Sequence, residues 1–236
     1  ALTIGTSGAV RILSDQPVQD AAHRLFNYRL DNKTYLPGGA INNGGILLEW
    51  FYETFTDRLQ PFDSFLKEFL PQAGAIEPGA EGLIFLPYIH GERAPVWDAA
   101  ASGMFMGIKA VHTKAHFLRA VLEAVGFSLR QILEALEENK VAINSLYAGG
   151  GFIESAEWLR IITDILGKTV NIRHDADASA MGAAYMGMKA AGMLKSWEDI
   201  KQLVRDKETY KPDAETHAAY QKNYNIYQKL YNCQFQ

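Results

Sequence analysis

The chain has 236 residues, 48% of them hydrophobic and 21% charged, with a net charge of −4. That composition allows a sizeable core, in one large domain or two small ones, and gives no basic footprint for nucleic acid or an anionic membrane. The single cysteine, Cys233, excludes an internal disulfide framework and suits a reducing, cytoplasmic setting, and no apolar run approaches the length of a membrane span.

Leu2-Thr3-Ile4 is already strand-like and no initiator methionine precedes it, so the chain reads as part of something longer. Gly5-Thr6-Ser7-Gly8 joins this strand to a second, Ala9–Leu13. The turn has two readings: a nest whose N–H groups and hydroxyls hold a phosphate, or a plain hairpin turn. Phe26–Leu30 and Thr34–Leu36 flank Asp31-Asn32-Lys33 as a second hairpin. Pro37-Gly38-Gly39 is then expected to break the chain before a helix from Asn42 to Phe55, with Leu47, Leu48, Phe51 and Phe55 on its buried stripe. Gly44 and Gly45 near its start each cost up to about 1 kcal/mol against Ala. Close approach by a ligand or by another backbone would account for them.

A second helix is expected over Pro61–Phe69, with proline tolerated in its first turn, followed by a surface loop over Pro71–Gly82 and a buried strand at Leu83–Leu86. The loop Pro87 to Asp98 admits two accounts. It is rigid, pinned by an internal Arg–carboxylate pair and by packing of Trp97, or it lies at a domain junction or the rim of a site. Gly103–Ile108 reads as a strand and Thr113–Glu138 as a long helix, with Phe117, Val121, Val125, Leu129, Ile132 and Leu136 keeping helical spacing. His112 and His116 stand four apart, but no third ligand accompanies them, so no metal site is expected.

Leu146-Tyr147-Ala148 runs into Gly149-Gly150-Gly151 and then into an amphipathic stretch, which reads as strand, tight turn and helix. Three glycines let a backbone pass close to a flat or phosphorylated ligand, although triple glycine also serves ordinary turns. Ser155 is a plausible N-cap, and the helix end offers free N–H donors. The helix Ala156–Leu166 should stop at Gly167, with a strand at Thr169–Ile172. The small residues from Asp177 onward suggest a helix packed closely on the sheet. Two more helices are expected at Ser196–Val204 and Asp213–Leu230, where Tyr220, Tyr224, Tyr227 and Tyr231 form a docking face.

This order describes an α/β domain, a mixed sheet flanked by helices. Three glycine-rich turns in one such domain suggest convergence on a single nucleotide, and the chemistry that asks mostly for positioning and charge neutralisation is phosphoryl transfer. Here a resemblance becomes specific. Gly103-Met104-Phe105-Met106-Gly107-Ile108, seven residues, then His116-Phe117-Leu118-Arg119-Ala120-Val121-Leu122-Glu123 resembles the signature of the FGGY family of carbohydrate kinases. Gly5–Gly8 resembles the family's second phosphate motif, Ala148–Ser155 its adenosine motif, and Pro87–Asp98 its loop before the signature.

The resemblance implies an actin/hexokinase-like (ribonuclease H-like) ATPase fold and places residues 1–236 as the C-terminal, nucleotide-binding domain. Thr6, between Gly5 and Ser7, would face the terminal phosphates of ATP. Gly45 and Glu49 would border phosphate and ribose or base. Gly150, between Gly149 and Gly151, would let adenine lie against the backbone, with Glu154 and Ser155 at the rim. The phrases GTSGAVR, PGGAINNGGILLEW and PYIHGERAPVWD are most similar to the gluconate kinase branch, with xylulose kinase next and glycerol kinase more remote. The implied partners are ATP or ADP, a sugar or sugar acid, and an N-terminal domain; a homodimer is allowed.

The first phosphate loop, the magnesium-binding acid and the catalytic Asp of the family lie upstream of Gly5, so the ligands of Mg2+ are expected mainly in the N-terminal domain. No residue here is therefore a catalytic candidate: Asp15, Asp98 and Asp177 fall outside the matching motif. The alternative of a different class is an actin-like interaction module without productive nucleotide binding. A chaperone or cytoskeletal relative is set aside by the signature.

Overall fold

The computed structural model describes residues 1–173 and 178–235. Short strands with buried apolar positions build the centre: β1 (Leu2–Ile4), β2 (Gly8–Arg11), β3 (Phe26–Arg29) and β4 (Tyr35–Ile41), then β7 (Ser145–Gly149), β8 (Thr169–Arg173) and β9 (Asp206–Tyr210). They form a seven-stranded mixed sheet in the order β3-β4-β2-β1-β7-β8-β9. Both expected hairpins are present, with Ile4 opposite Gly8 and Arg29 opposite Tyr35. β1, β7 and β8 run parallel, so the carboxyl ends of β1 and β7 open side by side. β5 (Ile84–Leu86) and β6 (Met104–Met106) make a separate two-stranded ribbon.

The helices are α1 (Ile46–Phe55), α2 (Phe62–Gly74), α3 (Lys114–Glu138), α4 (Ala156–Leu166), α5 (Ala178–Ala190) and α6 (Ala214–Phe235). α3 is the axis of the core. Leu118, Leu122, Val125, Leu129, Ile132 and Leu136 are buried, and α3 touches β2, β4, α2 and α4. Among the described residues no helix is long and apolar enough to cross a membrane.

Three expectations about elements need correction. β4 runs straight through Pro37-Gly38-Gly39, because a Cβ at Gly38 would strike the carbonyl of Val10 and one at Gly39 would lie 2.8 Å from Ile132. These glycines let β4 lie flush against β2 and α3 rather than breaking the chain. α2 continues through Pro71 to Gly74, into the expected loop, because Leu70 and Ala73 are buried in the core. α5 does not pack closely on the sheet: a Cβ at Gly182 or Gly187 would meet nothing within 4 Å, and Met186 is 48% exposed. The start of that stretch at Asp177 lies outside the described residues. The tyrosine stripe is a docking face: Tyr220, Tyr224 and Tyr227 are buried with ring centroids 6.1, 5.7 and 5.4 Å from that of Phe127 of α3, and Tyr231, partly buried, meets Tyr88 edge-on at 6.5 Å.

Candidate functional site

β1 ends at Ile4, and the turn that follows exposes Gly5, Thr6 and Ser7. The hydroxyls of Thr6 and Ser7 make no hydrogen bond among the described residues. The turn's carbonyls are occupied: Gly45 N donates to Gly5 O at 2.7 Å, and Gly44 N and Ile46 N donate to Thr6 O at 3.2 and 3.1 Å. α1 thus docks its first N–H groups onto the turn. A Cβ at Gly44 would lie 2.5 Å from the backbone of Ser7, and one at Gly45 2.6 Å from Gly5 O. The close approach expected at these two glycines is by another backbone.

The second glycine turn divides in the same way. Gly149 is the last residue of β7, opposite Thr3. Gly150 adopts φ +97°, and a Cβ there would collide with the carbonyl oxygen of Ile4. Gly151 has no such constraint: a Cβ on it, as on Gly5, would meet nothing within 4 Å. Ser155 caps α4 by accepting from Trp158 N at 3.2 Å while its hydroxyl donates to Glu157 at 3.0 Å, which satisfies one of the helix's free donors.

A cavity of about 630 Å3 opens at the carboxyl ends of β1 and β7. Crevices of this kind, outside the strand ends of an α/β sheet, are the usual ligand positions in such folds. Gly5, Thr6, Gly45 and Glu49 form one side, and Gly151, Glu154 and Ser155 another. Ser7, Gly149 and Gly150 lie outside the lining. A third wall is α2, through Phe62, Asp63, Leu66, Lys67 and Leu70, which sequence reading missed. The signal was present: α2 carries two apolar stripes, Phe65 and Ala73 in the core and Phe62, Leu66 and Leu70 at i, i+4 and i+8 facing the cavity. With Leu48, Phe152 and Trp158 these make an apolar slot of the kind small ligands occupy. Its polar groups, among the described residues, are the hydroxyls of Thr6 and Ser155, the carboxylates of Glu49, Asp63, Glu154 and Glu157, and the cation of Lys67.

The loop from Pro87 to Asp98 is rigid, though not by an Arg–carboxylate pair. Buried Glu92 accepts from Arg93 N at 2.8 Å, from Asn42 N at 2.5 Å and from the Asn43 amide at 2.9 Å. Arg93 instead donates to Asn42 Oδ1 and Ile41 O at 2.7 and 2.9 Å, and Trp97 is 48% exposed. The loop therefore fastens the chain between β4 and α1, immediately before Gly44. Burial pushes the Glu92 carboxyl above its ordinary range. His112 and His116 each turn Nδ1 to a backbone N–H, of Lys109 and Thr113, both at 3.1 Å. Among the described residues no three His, Cys, Asp or Glu side chains come together as a metal-binding group.

The profile of the FGGY family of carbohydrate kinases, C-terminal domain, matches residues 1–191. The chain belongs to that family. Gluconokinase from Bacillus licheniformis is 34% identical over 232 residues, covering 94% of this chain and 44% of that protein. Xylulose kinase from Staphylococcus epidermidis is 33% identical over 223 residues, covering 93% of this chain and 44% of that one. Among solved structures, gluconate kinase from Lactobacillus acidophilus superposes with a TM-score of 0.90 at 33% identity, over 98% of this chain and 46% of that one. This FGGY chain therefore spans less than half the length of these relatives. Its fold is that of the sugar kinase C-terminal domains, the actin/hexokinase-like mixed sheet flanked by helices.

Proposed function

We propose that this FGGY domain is the nucleotide-holding part of a carbohydrate kinase that transfers the γ-phosphate of ATP to a hydroxyl of gluconate. The observation that carries the reading is the pair Gly5 and Gly151. Both line one cavity, and at neither does packing or φ demand a glycine. Side chains at those positions would fill the space a ligand needs. Thr6, whose hydroxyl makes no hydrogen bond among the described residues, is assigned to the terminal phosphates. The apolar slot between α2 and Phe152 is assigned to the adenine, Glu49 to the ribose side, and Glu154 with Ser155 to the rim. Phosphoryl transfer asks a protein mainly to position groups and balance charge, and these residues supply the positioning of one substrate.

The sugar, the general base that takes its proton and the Mg2+ ligands are assigned to the part of the relatives that this chain does not span. No residue among 1–236 is assigned to Mg2+. Gluconate is preferred because two gluconokinases match at 34% and 35% identity, slightly above the 33% of the xylulose kinase; xylulose is the second choice. The test is calorimetric titration with ADP and with Mg-ATP, on the chain and on Gly151→Phe. The expected result is binding at a millimolar dissociation constant or tighter, lost in the variant with an unchanged melting temperature. An unaltered affinity in Gly151→Phe would refute the cavity assignment. Absence of binding in the unaltered chain would favour an interaction module.

A further inference from the structure

The wall of the cavity that α2 provides is held from behind by one buried side chain. Arg119 of α3 is 4% exposed. Its Nε donates to Glu123 at 2.6 Å, its Nη1 to the carbonyls of Ala73 and Gly74 at 3.1 and 3.2 Å, and its Nη2 to the hydroxyl of Tyr220 at 2.6 Å. One planar group thus fixes the spacing of α2, α3 and α6. Glu123 also accepts from Gly79 N at 2.9 Å, while Asn223 of α6 donates to Gly79 O at 3.0 Å. The segment leaving α2 is therefore clamped by the same two helices.

Ala73 and Gly74 form the last turn of α2, and Leu70 and Pro71, which line the cavity, lie in that turn. A guanidinium on terminal carbonyls also suits the negative end of the helix dipole. A buried ion pair gains little net stability over apolar residues of the same volume, because desolvation offsets attraction. What it supplies that an apolar cluster would not is fixed geometry, through a rigid fork of donors.

We propose that Arg119 is a positioning residue for nucleotide binding, setting the α2 wall of the cavity, and that Tyr220 makes the C-terminal helix α6 part of that setting. The inference rests on the nucleotide reading of the cavity. It places a determinant of affinity in α6, beyond residues 1–191 that the family profile matches.

Truncating Arg119 itself would leave Glu123 buried and unpaired and could unfold the chain, so the test uses two mild variants of α6. Tyr220→Phe removes only the hydroxyl that meets Arg119. Tyr224→Phe removes an equivalent buried hydroxyl, which donates to Glu134 at 2.7 Å and has no link to α2. ADP affinity is measured by calorimetry on both and on the unaltered chain, well below all three melting temperatures. Tyr220→Phe is expected to weaken ADP by about threefold to tenfold, and Tyr224→Phe by less than about twofold, while both lower the melting temperature. Unchanged affinity in Tyr220→Phe, or equal losses in the two variants, would show that α6 only stabilises the fold and would overturn the proposal. If the unaltered chain binds no ADP, the nucleotide reading fails and this inference falls with it, a result distinct from the other two.

Discussion

At Gly150 the backbone sits at φ +97° and a Cβ would run into the carbonyl oxygen of Ile4, whereas a Cβ at the next residue, Gly151, would stand in open space. Adjacent glycines therefore differ in kind: backbone and packing require glycine at Gly150, and neither does at Gly151. Gly150→Ala should destabilise the chain by about 2–4 kcal/mol, from left-handed strain plus overlap with β1. Gly151→Ala should change stability by no more than about 0.5 kcal/mol. Urea denaturation of the two variants measures this directly, and equal losses would remove the structural distinction on which the assignment of Gly151 to a ligand rests. The same reasoning separates Gly5, with open space around it, from Gly45, whose N–H sits on Gly5 O at 2.7 Å. The glycine pattern in the sequence pointed to the turns that border the cavity but could not sort their members, because only the neighbouring backbone says which ones are free.

Among elements, the segment between β2 and β3 has little core of its own and depends on Asp20. Its carboxylate receives Arg24 Nη2 at 2.7 Å and Asn139 Nδ2, just past the end of α3, at 3.1 Å, and Arg24 also reaches Glu138 at 2.7 Å. The Arg24 hydrogen bond, despite partial burial, holds the Asp20 carboxyl well below its ordinary range. With the folded value lowered, this stability is fully present above the unfolded value, near about pH 4, and is lost as the pH falls through the folded one. Asp20→Asn should cost about 1 kcal/mol at pH 7, and the difference from the unaltered chain should shrink steadily below about pH 4. Denaturation at a series of pH values checks it; a pH-independent difference would show that the hydrogen bonds alone matter. Elements with local reasons were legible in the sequence: both hairpins, the even apolar spacing of α3, and α4 between Ser155 and Gly167. Elements with distant reasons were not. β4 crosses Pro37-Gly38-Gly39 because Val10 and Ile132 lie against it, and the last turn of α2 is held by Arg119, 45 residues on from Gly74. β9 is a polar, mostly exposed edge strand whose backbone pairing to β8 leaves no apolar alternation to read.

For the whole molecule, the chain spans 44% of the gluconokinase it resembles, and it leaves apolar side chains uncovered: Met186 at 48%, Met193 at 70% and Leu203 at 51% exposure. A cavity assigned to one substrate, as proposed above, cannot by itself perform a two-substrate transfer. Placing the acceptor hydroxyl in line with the γ-phosphate supplies an effective molarity of about 10⁵ M or more, and a positioned general base contributes about 10²–10⁴. Both are assigned outside residues 1–236. Measured against the about 1–100 s⁻¹ usual for kinases, the chain alone should therefore fall by at least about a millionfold, below detection in a coupled assay of ADP release with gluconate, xylulose or glycerol. ADP binding by the same preparation should persist, which separates a missing reaction partner from a collapsed site. Sugar-dependent ADP release above the no-sugar blank would mean that a general base lies within these residues. The carboxylates around the cavity, Glu49 and Asp63 first, would then have to be tested one by one.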